Sequence, residues 1–513
     1  MCAGGSIPTT DSREVTAQAF WGGSTMLLAS AFGNGLGYLL GIVLARLLGV
    51  EDFGLYALGL AIFNVTMLVA LCGADTLVVK GVSGALQRGD RLLAAKTVVI
   101  ALVFVVSVGL LAAMCLLWSS HTWLLDVYAR PQLVPLLTIF ALTIPVALAV
   151  SILVAAFQAT HTYSKVIAIR SVWEPLGKLV LTLGAVWAGW GLVGVVGGVG
   201  IASLISLILA AYFARTMIAQ GLRAGSFDRR QVAELAKYGV PLFVMTIVGV
   251  ISPRTDVLLL GYWSEPAQVG LYQAAYQTAA ILTLIAAALD TAFAPLSAGL
   301  FAVHDLTRLK HLYCNVSRWL LIVSFPIALI LLVFGPDILS LFGPAFPLAA
   351  GCLLLLALGQ WVNTWTTFAH TILLMSGHSR LAMWNGIWTG ILLLCLNGLL
   401  IPRWGITGAA FAVSLSLTIG GLLRVGQVWL LHGLHPFSVE LIKPVTAGLV
   451  ALLAGYVLRG LLGTDFLVAL ILAVGLCYFA LLYCLKLEEA DRVALTGLLQ
   501  RVRGKSAALA EGL

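Results

Sequence analysis

Apolar stretches of about 20 residues recur along the whole chain, separated by short polar segments. A stretch of this length crosses the hydrocarbon core of a bilayer as an α-helix, because helices satisfy their own backbone hydrogen bonds there. Hydrophobic residues make up 61% of the 513 residues and charged residues 10%, whereas a soluble domain is about 45–50% apolar and about 25% charged. The sequence therefore predicts an all-α polytopic membrane protein.

Counting these stretches predicts about fourteen transmembrane helices. The predicted spans are residues 17–48, 53–79, 95–118, 133–157, 167–188, 192–214, 238–262, 269–289, 316–334, 348–374, 381–401, 405–430, 443–461 and 466–485.

A short pattern occurs twice, about 214 residues apart. Leu47-Leu48-Gly49 matches Leu259-Leu260-Gly261, Gly54-Leu55-Tyr56 matches Gly270-Leu271-Tyr272, and WGLVG at Trp190 matches WGITG at Trp404. Duplicated halves are typical of transporters, whose two bundles rock about a site held between them. Because each half has an even number of spans, we expect two six-helix lobes related by a pseudo-two-fold axis along the membrane normal, plus two C-terminal helices.

This organisation divides the chain at its longest polar segment. The predicted parts are a cytoplasmic N-terminus (1–16), an N-lobe (17–214), a cytoplasmic linker (215–237), a C-lobe (238–430), two further spans (443–485) and a basic cytoplasmic tail (486–513).

The basic residues are divided unequally between alternate loops. Of the 29 Lys and Arg residues, 24 fall on one predicted side of the membrane. The other side holds Arg46, Arg130, Arg254, Arg403 and Arg459. By the positive-inside rule, the N- and C-termini are expected in the cytoplasm. The net charge of +8 thus reflects topology, and without a concentrated basic soluble domain we expect no nucleic-acid partner.

Four stretches resemble one family when they are taken together with their order and spacing. They are ARLLGVEDFGLYALGLAIFN from Ala45, ELAKYGVPLF from Glu234, TDVLLLGYWSEPAQVGLYQAAYQ from Thr255 and WGITGAAFAVSLS from Trp404. They are similar to stretches of bacterial polysaccharide transporters, the O-antigen and exopolysaccharide flippases. The wider superfamily of multidrug, oligosaccharidyl-lipid and polysaccharide exporters also contains drug antiporters and the lipid II flippase.

The resemblance implies a two-lobed, V-shaped protein with a central cavity in the bacterial cytoplasmic (inner) membrane. Such a protein would carry an undecaprenyl-diphosphate-linked oligosaccharide to the outer leaflet by alternating access, working beside a polysaccharide polymerase and glycosyltransferases. The glycan and diphosphate cannot cross hydrocarbon unaided, while the lipid tail stays among the membrane lipids. We expect no catalytic residues and no cofactor, and no Cys or His spacing resembles a metal site.

Charged residues inside the spans are the candidates for contacting the head group, because they are costly in lipid and usually face a cavity or a partner. Arg46 and Arg254 are expected to flank the cavity from opposite lobes, with Asp256 orienting Arg254. The other candidates are Glu174, Lys178, Asp75, Asp290 and Arg318. Two structural alternatives stay open: Lys178 and Arg318 as interface anchors, and Glu174–Lys178 as a structural ion pair.

Glycines recur every four residues in the first span, at Gly33, Gly37 and Gly41. Small residues at this spacing let helices approach closely, and they also weaken a helix locally. Close packing and flexing of this span during transport are both compatible with the pattern.

Three other functions compete with a glycan flippase. An ion-coupled drug antiporter or the lipid II flippase would share the fold, but such antiporters often carry an acid in the first helix, and no acid lies between Glu14 and Glu51. A polyprenyl-sugar glycosyltransferase or polymerase would need catalytic groups on a sizeable outer loop, and the predicted outer loops are short.

Overall fold

The computed structural model describes residues 12–223, 254–437, 441–462 and 467–484, and it describes side-chain burial for those from residue 29 onwards except 461–468 and 483. Most of the predicted N-terminus 1–16, residues 224–237 of the predicted linker, residues 238–253 of the seventh predicted span and the predicted tail 486–513 lie outside the described residues. We call residues 12–223 the N-half and residues 254–437 the C-half.

The N-half is built of apolar helices joined by short turns. Its helices are α1 (Ser12–Leu71), α2 (Ala74–Gln87), α3 (Arg91–Ser120), α4 (Trp123–Tyr128), α5 (Leu133–Ala159), α6 (Tyr163–Val166), a π-helical segment (Ile167–Trp173), α7 (Glu174–Trp187) and α8 (Gly191–Arg223). Asp90 caps α3 by accepting a hydrogen bond from the backbone N–H of Leu93 at 2.8 Å, which satisfies one free donor of the first turn.

The C-half and the end of the chain continue in the same way. Their helices are α9 (Thr255–Trp263), α10 (Pro266–Ala279), α11 (Ile281–Ala302), α12 (Leu306–Val333), α13 (Gly335–Ser340), a 3₁₀ turn (Phe346–Ala349), α14 (Ala350–Trp365), α15 (Thr367–Met375), α16 (Ser379–His432), α17 (Ile442–Leu462) and α18 (Leu467–Cys484). Phe325 and Val333 of α12 are buried with Ala447 of α17 and Val474 of α18, so the last two helices pack on the C-half.

Two of these helices are broken at a glycine. A straight helix as long as α16, with 54 residues, would measure about 81 Å, far more than a bilayer core of about 30 Å. Gly405 has non-helical dihedrals (φ 55°, ψ −130°), and Gly49 breaks α1 in the same manner (φ 79°, ψ 177°). A Cβ on Gly408 would overlap the Leu400 carbonyl oxygen, so α16 folds back on itself beyond Gly405.

The described residues contain nine helices or helix pairs long and apolar enough to cross a membrane. The predicted all-α polytopic fold is confirmed, whereas the count of fourteen spans stays a prediction. The second predicted span, residues 53–79, is shorter in the structure, because Cys72 and Gly73 adopt positive φ values of 52° and 70° and end the helix at Leu71. The ninth predicted span begins earlier than expected, at Leu306 rather than residue 316.

Successive crossings place the turns on two opposite faces. The Gly49 face carries the breaks at Gly49, Ser264 and Gly405, together with the segment between α12 and α14. The Gly89 face carries the turns at Gly89 and His161 of the N-half and at His304 and Gly377 of the C-half. The predicted orientation makes the Gly49 face the outer one.

Candidate functional site

A polar cavity of about 680 Å³ lies between the N-half and helix α10 of the C-half. Its lining comes from both arms of α1, from α5, the π-helical segment, α7, α8 and α10. Its polar and charged lining residues are Ser30, Asn34, Asn64, Ser151, Gln158, Arg170, Ser171, Glu174, Lys178, Ser203, Ser206, Gln273 and Gln277. In an apolar membrane bundle, this concentration of polar side chains marks a place where a polar group is accommodated.

The lining of the cavity runs from near Gly49 toward the Gly89 face. Gln158 and Val166, which flank the turn at His161, line its end at that face. At the opposite end its lining reaches Leu44 and Phe53, within a helical turn or so of Gly49.

Part of the cavity wall is the π-helical segment Ile167–Trp173, which carries Arg170 and Ser171. One-turn π segments inside α-helices are frequent at functional sites, because the extra residue per turn redirects side chains. The segment is held against α1 at Gly33, where a Cβ would lie only 3.0 Å from the Ser171 carbonyl oxygen. Gly33 therefore lets α1 pack directly on the backbone beside Arg170.

Three charged residues line this wall four positions apart: Arg170, Glu174 and Lys178. The Lys178 Nζ lies 2.6 Å from Glu174 Oε1, and both side chains are roughly one-third exposed (27% and 31%). Arg170 is exposed and has no carboxylate partner among the described residues of the two halves. The described lining therefore has one uncompensated positive charge, carried by a guanidinium.

Other lining residues carry neutral amides. Gln273 and Gln277 of α10 face the cavity together with Asn34 and Asn64 of α1. Gln277 Nε2 donates hydrogen bonds to the carbonyls of Gly37 and Tyr38, at 3.3 and 3.2 Å. These bonds tie the C-half to the glycine-rich part of α1.

Five of the predicted site residues line the cavity: Gly33, Gly37, Gly41, Glu174 and Lys178. Two of the glycines serve close packing, Gly33 against the π-helical segment and Gly41 against the Gln277 amide, which a Cβ would overlap. Gly37 has no atom within 4 Å of a Cβ position. Gly49 is the one position at which α1 departs from helical dihedrals, and flexing at Gly33, Gly37 and Gly41 stays a prediction.

The two arginines expected to flank the cavity lie outside its described lining. Arg46 is exposed, and its Nε donates a hydrogen bond to the Leu341 carbonyl at 2.6 Å. It lies three residues before the break at Gly49, about 4.5 Å along the helix axis, whereas Arg254 lies ten residues before Ser264, about 15 Å. The expectation that the repeat places them equivalently is therefore not met.

Asp256 also lies outside the cavity lining, and only 2% of it is exposed. Its carboxylate accepts hydrogen bonds from the Tyr272 hydroxyl and from the backbone N–H of Val257. The bond from Tyr272 ties α9 to α10, and the bond from Val257 is local to α9. The orientation of Arg254 by Asp256 stays a prediction.

The remaining candidates are not among the described residues that line the cavity. Asp75 is in the first turn of α2, where its Oδ1 accepts from the Thr76 N–H at 2.8 Å. Asp290 accepts from the Thr371 hydroxyl at 2.6 Å, within the C-half. Arg318 is 4% exposed on α12, twelve residues into the helix rather than at its start. A role for these three in substrate contact stays a prediction.

From the sequence alone, Arg170 is one of the 24 basic residues of the predicted inner side and has no predicted role in the site. One signal was present, because Arg170 precedes the Glu174–Lys178 pair by four residues and extends the same stripe. Gln273 and Gln277 are neutral, so a search for intramembrane charge does not find them.

Sequence comparison places the chain among glycan-related proteins. A family model described as "Polysaccharide biosynthesis protein" matches residues 21–301, and a MatE model matches residues 241–397. In Haloferax volcanii, "Probable low-salt glycan biosynthesis flippase Agl15" is 25% identical over 401 residues, which cover 78% of this chain and 81% of that protein. "Probable flippase AglR" of the same organism is 25% identical over 195 residues, 37% of this chain and 40% of that protein.

Solved structures with the same architecture are transporters of one superfamily. An inward-facing multidrug resistance MATE family transporter of the MOP superfamily matches with a TM-score of 0.69 at 11% identity, covering 80% of this chain and 98% of that chain. The lipid II flippase MurJ in an inward closed conformation matches with a TM-score of 0.67 at 16% identity, covering 89% and 97%. These likenesses confirm the predicted MATE-like fold. Since the first family model matches more than half of the 513 residues, the protein belongs to the polysaccharide biosynthesis protein family.

Proposed function

We propose that this chain is a flippase that carries a lipid-linked glycan across the membrane, with the polar head group in the cavity and the lipid tail in the bilayer. The observation that carries this proposal is Arg170, a cavity-lining guanidinium with no carboxylate partner among the described residues. The family membership and the two haloarchaeal relatives that are named flippases support it.

The chemistry of the cavity suits a polyprenyl diphosphate carrying sugars, such as an undecaprenyl-diphosphate-linked oligosaccharide. A guanidinium binds phosphate oxygens through two parallel hydrogen bonds and keeps its charge at any physiological pH. The amides of Gln273, Asn34 and Asn64 and the neighbouring serines offer both donors and acceptors to sugar hydroxyls. A volume of about 680 Å³ lies within the usual range of ligand sites, about 300–1,000 Å³.

Transport in this proposal is alternating access between an N-lobe (17–214) and a C-lobe (238–430), joined by the segment 215–237. The protein lies in the cytoplasmic membrane with both termini inside, so the cavity faces the leaflet on which the lipid-linked unit is assembled. A polysaccharide polymerase and glycosyltransferases would act before and after it. Head-group contacts from Arg254, Asp256, Asp75, Asp290 and Arg318 would have to occur in another conformation.

A drug antiporter is the main competing function, since a MatE model matches residues 241–397. Deleting the gene distinguishes the two. We expect loss of an exported or surface glycan and accumulation of its lipid-linked precursor, both reversed by the intact gene. Normal glycan export together with hypersensitivity to toxic cations in the deletion strain would overturn the flippase proposal.

A further inference from the structure

Two arginines of the N-half reach across to backbone carbonyls of the C-half at the Gly49 face. Arg46 Nε donates to the Leu341 carbonyl at 2.6 Å, and Arg130 Nη2 donates to the Ser264 carbonyl at 2.7 Å. Leu341 is the C-terminal cap of α13, and Ser264 is that of α9. A cation is favourable at both places, because the last carbonyls of a helix lack intrahelical partners.

A second residue of the same turn reinforces the contact of Arg130. Glu265, next to Ser264, interacts electrostatically with the guanidinium. Burial lowers the pKa of Arg130, and the Glu265 carboxylate acts in the opposite direction. Arg130 therefore stays charged while it lies against the break between α9 and α10.

Beneath these arginines, the two halves touch at equivalent glycines of the repeat. A Cβ on Gly54 would overlap the Pro266 carbonyl oxygen, and a Cβ on Gly270 would overlap the Val50 carbonyl oxygen. Val50 precedes Gly54 by four residues, and Pro266 precedes Gly270 by four. The contact is therefore reciprocal, as expected for two related helices that cross on a pseudo-two-fold axis.

Aromatic rings close the same region. Phe53 meets Phe346 with ring centroids 6.0 Å apart, and Tyr38 meets Phe342 at 5.7 Å. Phe53 itself lines the cavity, and Phe342 and Phe346 belong to the segment between α12 and α14, so these rings pack the cavity wall against that segment of the Gly49 face. The described halves are thus joined at this end of the cavity.

We propose that Arg46 and Arg130 are latch residues of a gate at the Gly49 face, which hold the two halves together while the cavity is open to the opposite face. Each latch is a charge-assisted hydrogen bond at an accessible surface, so water replaces it when the halves separate. At the Gly54–Gly270 crossing beneath, the two halves meet backbone to backbone. The proposal assumes the alternating access of the proposed function, and it assigns Arg46 to the gate instead of to the head group.

Cysteine labelling in vesicles of plain phospholipid, without any glycan lipid, tests the gate alone. The reporter is Ala57→Cys, a cavity position beneath the crossing, on a cysteine-free background. A membrane-impermeant maleimide is applied to the Gly49 face. A separate Trp404→Cys variant, which carries its cysteine at that face, shows by its labelling which side of the vesicle the face is on. We expect slow labelling in the parent and a roughly 3- to 10-fold faster rate in Arg46→Ala or Arg130→Ala, since a net hydrogen bond is worth about that factor. The double variant should label faster still.

Matched variants separate a latch from a general loss of charge or folding. Arg403→Ala removes a cation of the same face that makes no described bond to the N-half and should label as the parent does. Glu265→Gln keeps both arginines and should give a smaller increase. A double alanine variant that labels at the parent rate, or an Arg403→Ala variant that labels equally fast, would overturn the latch. A protein that labels as expected but fails to move glycan lipid would refute the proposed function and leave the gate intact.

Discussion

Gly191 and Gly405 follow equivalent tryptophans of the repeat and have nearly the same φ, +57° and +55°. Each lies at a sharp return of the chain on the Gly49 face, Gly191 at the start of α8 and Gly405 within α16. The repeated WGxxG motif is therefore a repeated turn, because positive φ is easily adopted only by glycine. The two halves therefore share both this motif and the positive φ of its first glycine.

Gly405→Ala should destabilise the protein by about 1–3 kcal/mol, the usual cost of holding a non-glycine residue in such a conformation. The apparent melting temperature in detergent measures this. Gly398→Ala is the matched control, because Gly398 lies in the same helix with open space at its Cβ position. Equal melting temperatures for the two variants would contradict the requirement for positive φ.

Gly54→Ala should lower stability more than Gly41→Ala does. At Gly54 the new methyl group meets the Pro266 backbone, which has no easy way to move, whereas at Gly41 it meets the end of the flexible Gln277 side chain. Overpacking of this kind costs about 1–3 kcal/mol. Gly37→Ala, with open space, should resemble the parent in the same thermal measurement. A Gly54→Ala variant as stable as Gly37→Ala would show that the crossing is looser than described.

Lys178→Ala should reduce glycan export although the protein still folds. Removing the ammonium frees the Glu174 carboxylate, which then pairs with Arg170 four residues earlier and cancels the uncompensated charge. The ion pair itself is partly exposed, so its loss should cost about 0.5 kcal/mol or less.

The double variant Glu174→Gln/Lys178→Ala provides the control, since it leaves Arg170 unpaired again. Export in a complemented deletion strain should recover relative to Lys178→Ala alone. If the double variant exports no better than the single one, Lys178 itself contacts the substrate. The claim that export depends on the unpaired charge of Arg170 would then be contradicted.

The sequence predicts the polytopic membrane fold, the family and the repeat, because the length of an apolar stretch and a tryptophan–glycine turn motif are local properties of the chain. The sequence does not show which charged residues line the cavity. The rarity of Arg46 among outer-side residues indicates a special role, but only the fold shows that Leu341, far along the chain, supplies its acceptor. The sequence gives Arg170 no role beyond the inner-side positive charge, since it shows neither the π-helical turn nor the face of the helix on which Arg170 lies. The early end of the second span at Leu71 depends on the positive φ of Cys72, a residue that ordinarily continues a helix.

The most direct test of the account is the charge at Arg170. Export of the glycan and the level of its lipid-linked precursor should be measured in a deletion strain that carries Arg170→Ala, Arg170→Lys or the control Arg403→Ala, at matched protein levels in the membrane. A bond from a charged donor is worth about 1.5–3 kcal/mol, so we expect Arg170→Ala to lower export roughly 10- to 100-fold and the precursor to accumulate. Arg170→Lys should restore part of the activity, because it keeps the charge but loses the bidentate geometry, and Arg403→Ala should export normally. Normal export by Arg170→Ala would contradict the proposal that this guanidinium holds the head group in the cavity.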